Sequence, residues 1–231
     1  MSGGEVTLPP VGGDEVTSPP VDGDERIHVW SAAEVARGEV PARHLPHLRE
    51  VLDWSGDFLV SGHPELGRGG PVCPYTQPSL RKGLFHLAVP ADDQEEDLSA
   101  AVGSLRAWHE RISADLDDDG RELLTLLLVL PQFDRSDSAE LDELQRKAKD
   151  EFVADGLMIG QFHPVCDEPG LWNTDFRPLR APVPLLAVRK LLLFDLPFLI
   201  TDDTHLDHYL KRFAPDLPAR VRGQLVSRLV P

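Results

Sequence analysis

The stretch that decides the fold is Glu122–Pro131, ELLTLLLVLP, an almost continuous apolar run closed by a proline. A run of this length without polar alternation is typical of a strand buried on both faces of a sheet. Such a strand needs further strands beside it and helices on both sides of the sheet. The run therefore predicts a layered domain, and its neighbours in the chain should supply the other layers.

The sequence around this run alternates between helix and strand patterns. Apolar spacing predicts helices over Glu95–Leu116 and Ser138–Ala154, the second closed by Gly156. Short apolar segments predict strands at Gly83–Pro90 and Leu157–Phe162. Pro184–Leu193 fits either a buried strand or a helix entered after proline, and we favour the strand.

Weaker signals complete the chain. Ser31 and Glu34 have the spacing of a capping box, which predicts a short helix over residues 32–37. Further helices are predicted over residues 44–60, 203–214 and 217–229, and a Gly- and Pro-rich loop over residues 61–77. The sequence thus predicts a single α/β (or α+β) domain over residues 27–231, with a central sheet of four to five strands flanked by helices.

The N-terminal segment has a different composition. Residues 5–24 are a decapeptide written twice, EVTLPPVGGD and EVTSPPVDGD, with eight of ten positions identical. The unit is rich in Pro, Gly and acidic residues and has no aromatic, so it cannot bury enough apolar surface to fold. We therefore predict a disordered acidic tail over residues 1–26.

Composition restricts the class of partner and the compartment. A formal net charge of -16 disfavours nucleic acid and anionic membranes, because both would be repelled. Two cysteines cannot form a disulfide framework, and we find neither a secretory signal nor an apolar run long enough to span a membrane. We expect a cytoplasmic protein with reduced thiols.

Most of the side chains capable of ligation, proton transfer or anion binding follow the strand predicted at Leu157–Phe162. They are His163, Asn173, Arg177, Arg180 and Arg189. Guanidinium groups bind carboxylates and phosphates with two hydrogen bonds, so the arginines and Asn173 predict a site for a small, carboxylate-bearing substrate. The alternative is that the arginines form structural ion pairs with Asp167, Asp175 or Asp195.

His163 and Cys73 are the candidate catalytic residues. His163 stands just past the end of a strand, where a side chain can project into a cleft as a metal ligand or a base. Cys73 lies between prolines, where a thiol could act as nucleophile or ligand, although a free cysteine is more often a small buried apolar residue. A zinc site could be assembled from Cys73, His163, Cys166 and His63, but only one close ligand pair is present.

Several motifs resemble an uncharacterised family of bacterial proteins, a domain of unknown function common in actinomycetes. They are Val72-Cys-Pro-Tyr75, Gly160-Gln-Phe-His-Pro164, Phe176-Arg-Pro-Leu-Arg-Ala-Pro-Val-Pro184 and Asp195-Leu-Pro-Phe-Leu199. The layout is also distantly similar to that of haem-dependent N-oxygenases of natural-product biosynthesis, in which a Cys-Pro or Pro-Cys pair precedes a strand beginning Lys-Gly, here Lys82-Gly83. That resemblance implies haem, with His163 as the iron ligand.

Three hypotheses follow. The first is a small-molecule-modifying enzyme of bacterial secondary metabolism, an oxygenase that acts on the nitrogen of an amino-acid-like substrate and uses haem bound by His163. The second is a non-catalytic binding or scaffold protein. The third is an enzyme without metal, in which Cys73 is the nucleophile and His163 the base. The sequence contains no dinucleotide fingerprint, phosphate loop or serine-hydrolase elbow.

Overall fold

The computed structural model describes residues 26–91 and 98–218. Its centre is a mixed sheet of five strands in the order β1-β2-β3-β5-β4. The strands are β1 (Ile27–Ser31), β2 (Phe85–Pro90), β3 (Thr125–Val129), β4 (Leu157–Phe162) and β5 (Leu185–Lys190). The predicted single domain with a central sheet of four to five strands flanked by helices is confirmed.

The apolar run supplies the middle strand. β3 pairs with β2 in parallel and with β5 in antiparallel orientation, and the two outer pairs, β1 with β2 and β4 with β5, are also antiparallel. Leu126 to Val129 are all buried, since both faces and both edges of β3 are covered. The ambiguous segment after Pro184 forms a strand, as predicted, because it pairs on both sides.

Helices cover both faces of the sheet. They are α1 (Ala32–Arg37), α2 (Leu45–Trp54), α3 (Thr76–Arg81), α4 (Leu98–Ala114), α5 (Asp118–Leu123), α6 (Ala139–Ala154) and α7 (Asp203–Phe213). A π-helical turn over Ser55–Leu59 continues α2, and 3₁₀ turns occupy Pro64–Leu66, Leu193–Phe198 and Ala214–Asp216. None of the helices in the described part of the chain is both long and apolar enough to cross a membrane.

The pleat of β3 divides the core into two layers. Leu126 and Leu128 pack with α4 and α6, in a cluster that includes Leu105. Leu127 and Val129 point to the other face and pack with α1 and α2. This alternation follows from the two-residue period of a strand and explains why Leu126 to Val129 are all apolar.

A third apolar cluster fixes α7 against the end of α6. Val153, Leu196 and Tyr209 are buried in it, and the Tyr209 hydroxyl donates a hydrogen bond to the carbonyl of Leu193. Burial, and to a lesser extent the charge of Asp195, raise the pKa of Tyr209 to about 12, so the hydroxyl remains a donor. The cluster determines where the C-terminal turn of α7, with Arg212, lies.

Local capping signals gave correct helix ends. The backbone amide of Ser31 donates to the Glu34 carboxylate at 2.7 Å, and the amide of Glu34 donates to the Ser31 hydroxyl at 3.3 Å, as a capping box requires. Gly156 follows α6 with a φ of 78°, the left-handed conformation that closes a helix.

Three assignments from the sequence differ from the structure. Residues 118–123 form α5 rather than the start of a strand at Glu122, because the Asp117 carboxylate caps the amide of Gly120 at 2.7 Å. The predicted loop 61–77 ends in the first residues of α3, and β1 was not predicted. The predicted tail 1–26, except Arg26, and the predicted helix 217–229, except residues 217–218, lie outside the described residues.

Truncation of the middle strand tests the two-layer core. Leu128→Ala should lower the free energy of unfolding by about 3 kcal/mol, because it leaves a cavity in a fully buried position. The matched control, Leu171→Ala, should cost less than about 0.5 kcal/mol, since Leu171 is 54% exposed. Urea unfolding measures the loss of free energy of unfolding for each variant. Equal losses in the two variants would contradict the assigned core.

Candidate functional site

His163 lies at the end of β4 and points toward α6. The residue is only 2% exposed, and its Nε2 lies 3.1 Å from the Asp142 carboxylate of α6. Its Nδ1 is buried and has no hydrogen-bond partner among the described residues. The backbone is held on both sides, since the His163 amide donates to Leu179 at 3.3 Å and its carbonyl accepts from Ala181 at 3.4 Å.

This environment does not fit an axial ligand of haem. An axial histidine must present one ring nitrogen to a flat cavity large enough for the macrocycle. Here the ring is enclosed by the protein, with only 2% of the residue exposed. The haem assignment therefore remains a prediction that the geometry at His163 does not support.

Cys73 lies on the other side of the sheet. Its amide donates to Leu59 at 2.8 Å, in the π-helical turn that continues α2. Arg189 stacks over the neighbouring Tyr75, with 5.6 Å between the guanidinium carbon and the ring centroid, and both residues lie near Cys73. Because His163 faces α6 instead, the structure does not bring the predicted nucleophile and base together.

The other members of the zinc set are engaged in contacts of their own. Cys166 is buried, and burial raises the pKa of its thiol, which disfavours the thiolate that a metal requires. His63 stacks on Phe176 with 4.7 Å between ring centroids, and its Nδ1 accepts a hydrogen bond from the Glu65 amide. Within residues 26–91 and 98–218, no group of three or more His, Cys, Asp or Glu side chains could hold a metal ion.

Asn173 and Arg177 hold loops in place. The Asn173 amide donates to the carbonyl of Glu65 at 2.8 Å and its side-chain oxygen accepts from the Asp175 amide at 3.0 Å. Arg177 donates to the carbonyl of Thr174 at 2.6 Å. The bond from Asn173 to Glu65 ties the segment after β4 to the loop before α3, and the other two bonds hold turns within that segment. Both side chains therefore have a structural use.

Arg180 is engaged in the same way. It donates to the carbonyl of Cys166 at 3.1 Å and to the Asp167 carboxylate at 3.0 Å, and Arg177 lies 3.8 Å from the same carboxylate. Asp167 is 84% exposed, so these ion pairs contribute little to stability. The alternative interpretation from the sequence, structural ion pairing with Asp167, describes the observed contacts of both arginines.

Arg189 is paired inside the protein and far from the other two arginines. It donates to both oxygens of Asp195 at 2.7 and 2.6 Å, and Asp195 also accepts from the Leu192 amide. Burial opposes the charge of Arg189, but the hydrogen bonds and charge of Asp195 outweigh it and raise the pKa. In the sheet register Arg189 lies opposite Met158, about 17 Å along β4 from His163.

Removal of the Arg189 charge tests whether its ion pair with Asp195 stabilises the fold. Arg189→Met should lower the free energy of unfolding by about 3–5 kcal/mol, because it leaves the Asp195 carboxylate buried and unpaired. Arg177→Met is the matched control and should cost less than about 1 kcal/mol, since Asp167, the carboxylate it pairs with, is exposed. A small effect of Arg189→Met would show that its charge is dispensable for folding and free for a ligand.

A cavity at the opposite end of the sheet from His163 was not predicted. Its volume is about 660 Å³, and it lies between α4, α5, the junction of α6 with β4, the end of β5 and α7. Its charged and polar lining residues are Arg106, His109, Glu110, Ser113, Arg121, Asp155, Lys190 and Arg212. Of the four cationic side chains, Arg106 pairs with Glu151 and Asp155, and Arg121 pairs with Asp118. Lys190 and Arg212 have no carboxylate within ion-pair distance among the described residues, in a chain whose net charge is -16.

His109 forms a buried part of the cavity wall. Burial, with a smaller contribution from the charge of Lys190, lowers the pKa of its imidazole to about 4. The ring is therefore neutral at pH 7, and its Nε2 is buried without a hydrogen-bond partner in the described part of the chain. A buried polar atom without a partner costs free energy, so a group that enters the cavity and bonds to it would be stabilised.

Two of the cations keep hydrogen-bonding capacity. Among the described residues, no carboxylate pairs with the ammonium group of Lys190. Arg106 donates to Glu151 at 2.6 Å and also pairs with Asp155, yet its Nε is buried and unpaired within the described residues. The cavity thus offers donors that the folded chain does not use.

Gly156 allows Arg212 to reach the cavity. A Cβ at this position would overlap the guanidinium group of Arg212, and the φ of 78° already disfavours other residues. Arg212 donates to the carbonyl of Asp155 at 3.4 Å. The closing glycine of α6 therefore has a second role, which is to leave room for a cation from α7.

Sequence reasoning missed this site because its members come from segments spread between α4 and α7. One signal was available. Leu98, Val102 and Leu105 mark the buried stripe of α4, and His109 continues it with the same spacing. A histidine on the apolar face of a predicted helix is a buried polar group whose partner has to be found.

The depressed pKa of His109 predicts a pH dependence of stability. Between pH 6.5 and about 4 the unfolded chain binds a proton that the folded protein does not, so stability falls as the pH is lowered through this window. The loss should reach about 3 kcal/mol, since one pKa unit corresponds to about 1.4 kcal/mol. Urea unfolding at pH 7 and at pH 4.5 gives the change in the free energy of unfolding between these two pH values. The change should be smaller for His109→Leu than for the unsubstituted protein. An equal change in both proteins would contradict the burial of a neutral ring.

Fold and site together define an α/β domain with a mixed five-stranded sheet and a cationic cavity at one end. The chain belongs to the family described as Domain of unknown function (DUF6875), whose model matches residues 48–224. The match includes β2 to β5 and every residue of the cavity lining. The predicted resemblance to an uncharacterised family is confirmed, whereas the resemblance to haem-dependent N-oxygenases is not.

A search of the curated proteins finds no match. A search of the solved structures finds none either.

Proposed function

We propose that the protein binds a small molecule with a phosphate or carboxylate group in the cavity between α4, α5 and α7. The observation that carries the proposal is that two groups without partners line the same cavity. The Lys190 ammonium has no carboxylate partner in the described part of the chain, and the buried Nε2 of His109 has no hydrogen-bond partner there. Lys190 is also close enough to His109 to lower its pKa.

Electrostatics favour an anion at this place. The remainder of a chain with a net charge of -16 repels anions, so two cations without a carboxylate partner among the described residues, Lys190 and Arg212, are a local exception. Arg106 and Arg212 are fixed by their bonds to Glu151 and to the carbonyl of Asp155. Binding an anion would therefore require little ordering of these side chains.

Size and lining favour a small molecule over a macromolecule. Ligand cavities in proteins range from about 300 to 1,000 Å³, and 660 Å³ lies within that range. Leu157 and Ala107 add apolar surface to the wall. A ligand with a charged group at Lys190, an apolar body and a hydroxyl or amino group at the neutral His109 would satisfy each of these features.

The proposal keeps the predicted class of partner, a small carboxylate-bearing molecule, and changes the residues that bind it. Arg177, Arg180, Arg189 and Asn173 already have partners within the chain. The oxygenase, scaffold and thiol-enzyme hypotheses remain predictions. An enzyme that modifies a small acid and a protein that only binds one would both use the cavity as proposed.

Calorimetric titration with inorganic phosphate, and separately with succinate, tests the proposal. Lys190→Gln should weaken binding of the preferred anion by about tenfold or more, because a charge-assisted hydrogen bond contributes roughly 1.5–3 kcal/mol. The matched control is Lys147→Gln, which removes the same charge from a side chain that is 68% exposed and pairs with Glu143. The affinity of Lys147→Gln for the same anion should stay within about twofold of that of the unsubstituted protein.

Two results would contradict the proposed function. One is the absence of binding by either anion at millimolar concentration. The other is an equal loss of affinity in the two lysine variants, which would show a response to net charge instead of a site. Preference for phosphate or for succinate would identify the acid group of the natural ligand.

A further inference from the structure

We propose that the ligand of the cavity is a zwitterion, an amino acid whose carboxylate binds at Lys190 and Arg212 and whose ammonium group binds at Glu110. This inference rests on the proposed function, because it names the class of small acid that enters the same cavity. Three features of the cavity wall carry it: an unpaired carboxylate, the separation of that carboxylate from two unpaired cations, and a neutral imidazole.

Glu110 contributes a carboxylate that the folded chain does not use. It lies on α4 and lines the cavity, and no cation among the described residues forms an ion pair with it. The other lining carboxylate, Asp155, is instead paired with Arg106. The cavity therefore offers one unpaired negative group in addition to the two unpaired cations, Lys190 and Arg212.

The unpaired charges of opposite sign come from different elements around the cavity. Glu110 lies on α4, whereas Lys190 is the last residue of β5 and Arg212 lies near the C-terminal end of α7. Within the described part of the chain, neither cation comes within ion-pair distance of Glu110. A simple anion would be attracted by the cations and repelled by Glu110, whereas a molecule that carries both charges would be attracted by all three groups.

The ring of His109 fits the ammonium end of such a ligand. His109 directly precedes Glu110 in α4 and is 6% exposed, and its Nε2 is buried without a partner among the described residues. In the tautomer with the proton on Nδ1, this nitrogen accepts a hydrogen bond, and an ammonium group donates three. Because the charge of Lys190 reaches the ring, an ammonium group at His109 needs the opposite charge of Glu110 beside it. We therefore assign the ammonium group to the space between His109 and Glu110.

Three acids with the same carbon chain test the inference on the full chain. Butyrate has the acid group alone, whereas 2-aminobutyrate and 4-aminobutyrate add an ammonium group near the carboxylate or at the far end. In calorimetric titration near neutral pH, the better of the two amino acids should bind about tenfold more tightly than butyrate, because a hydrogen bond between charged groups is stronger than one between neutral groups. The preferred amino acid also gives the spacing between the two charges of the natural ligand.

Substitution of Glu110 locates the ammonium group. In Glu110→Gln the advantage of the amino acid over butyrate should shrink to less than about threefold, because the amide has no charge to attract the ammonium group. Lys190→Gln should weaken binding of butyrate and of the amino acid alike, since both carry the carboxylate. The matched control is Glu140→Gln, which changes an exposed glutamate in the first turn of α6, outside the cavity lining. This control should keep the full advantage of the amino acid.

The affinity for butyrate separates the two proposals. If butyrate binds at Lys190 and neither amino acid binds more tightly, the zwitterion inference is wrong and the proposed function stands. An advantage that Glu110→Gln retains, or that Glu110→Gln and Glu140→Gln lose equally, would also overturn the inference. If butyrate, both amino acids, phosphate and succinate all fail to bind at millimolar concentration, the inference and the proposed function fail together.

Discussion

The burial of β3 on both faces is the constraint on which the rest of the structure depends. Leu126 and Leu128 require a helical layer on one side, and Leu127 and Val129 require one on the other. A middle strand without polar positions has no place for a site, so functional groups are confined to the two ends of the sheet. One end carries His163 and the loops after β4, and the other carries Lys190 and the cationic cavity.

The two ends differ in how their polar groups are used. Around Asn173 and Arg180, the side chains donate to carbonyls and carboxylates of the same chain and hold a proline-rich segment without regular structure. The Nδ1 of His163 is buried there without a partner among the described residues. At the cavity, the Lys190 ammonium and the Nε2 of His109 both keep unused capacity within the described residues and line one space. A ligand can satisfy both groups at once, and binding is therefore assigned to the cavity.

Much of the fold could be predicted from the sequence because its signals are local. The β3 run, the Ser31 capping box and the closing Gly156 each act within a few residues. β1 was missed because its strand identity comes from pairing with β2, more than fifty residues later. The sequence could not decide the site for the same reason, since a cluster of polar residues after β4 looks alike in sequence whether its members bind a substrate or one another. The cavity residues become neighbours only after α7 packs on α6.

The measurement that tests the account most directly is a backbone amide NMR titration of the full chain with inorganic phosphate. The account predicts that the largest shift changes map to α4 from Gly103 to Ser113, to Gly156 and Leu157, and to Lys190. Changes centred on His163 and the arginines of the following loop would return the site to the place that the sequence suggested. The absence of any localised change would contradict the binding function.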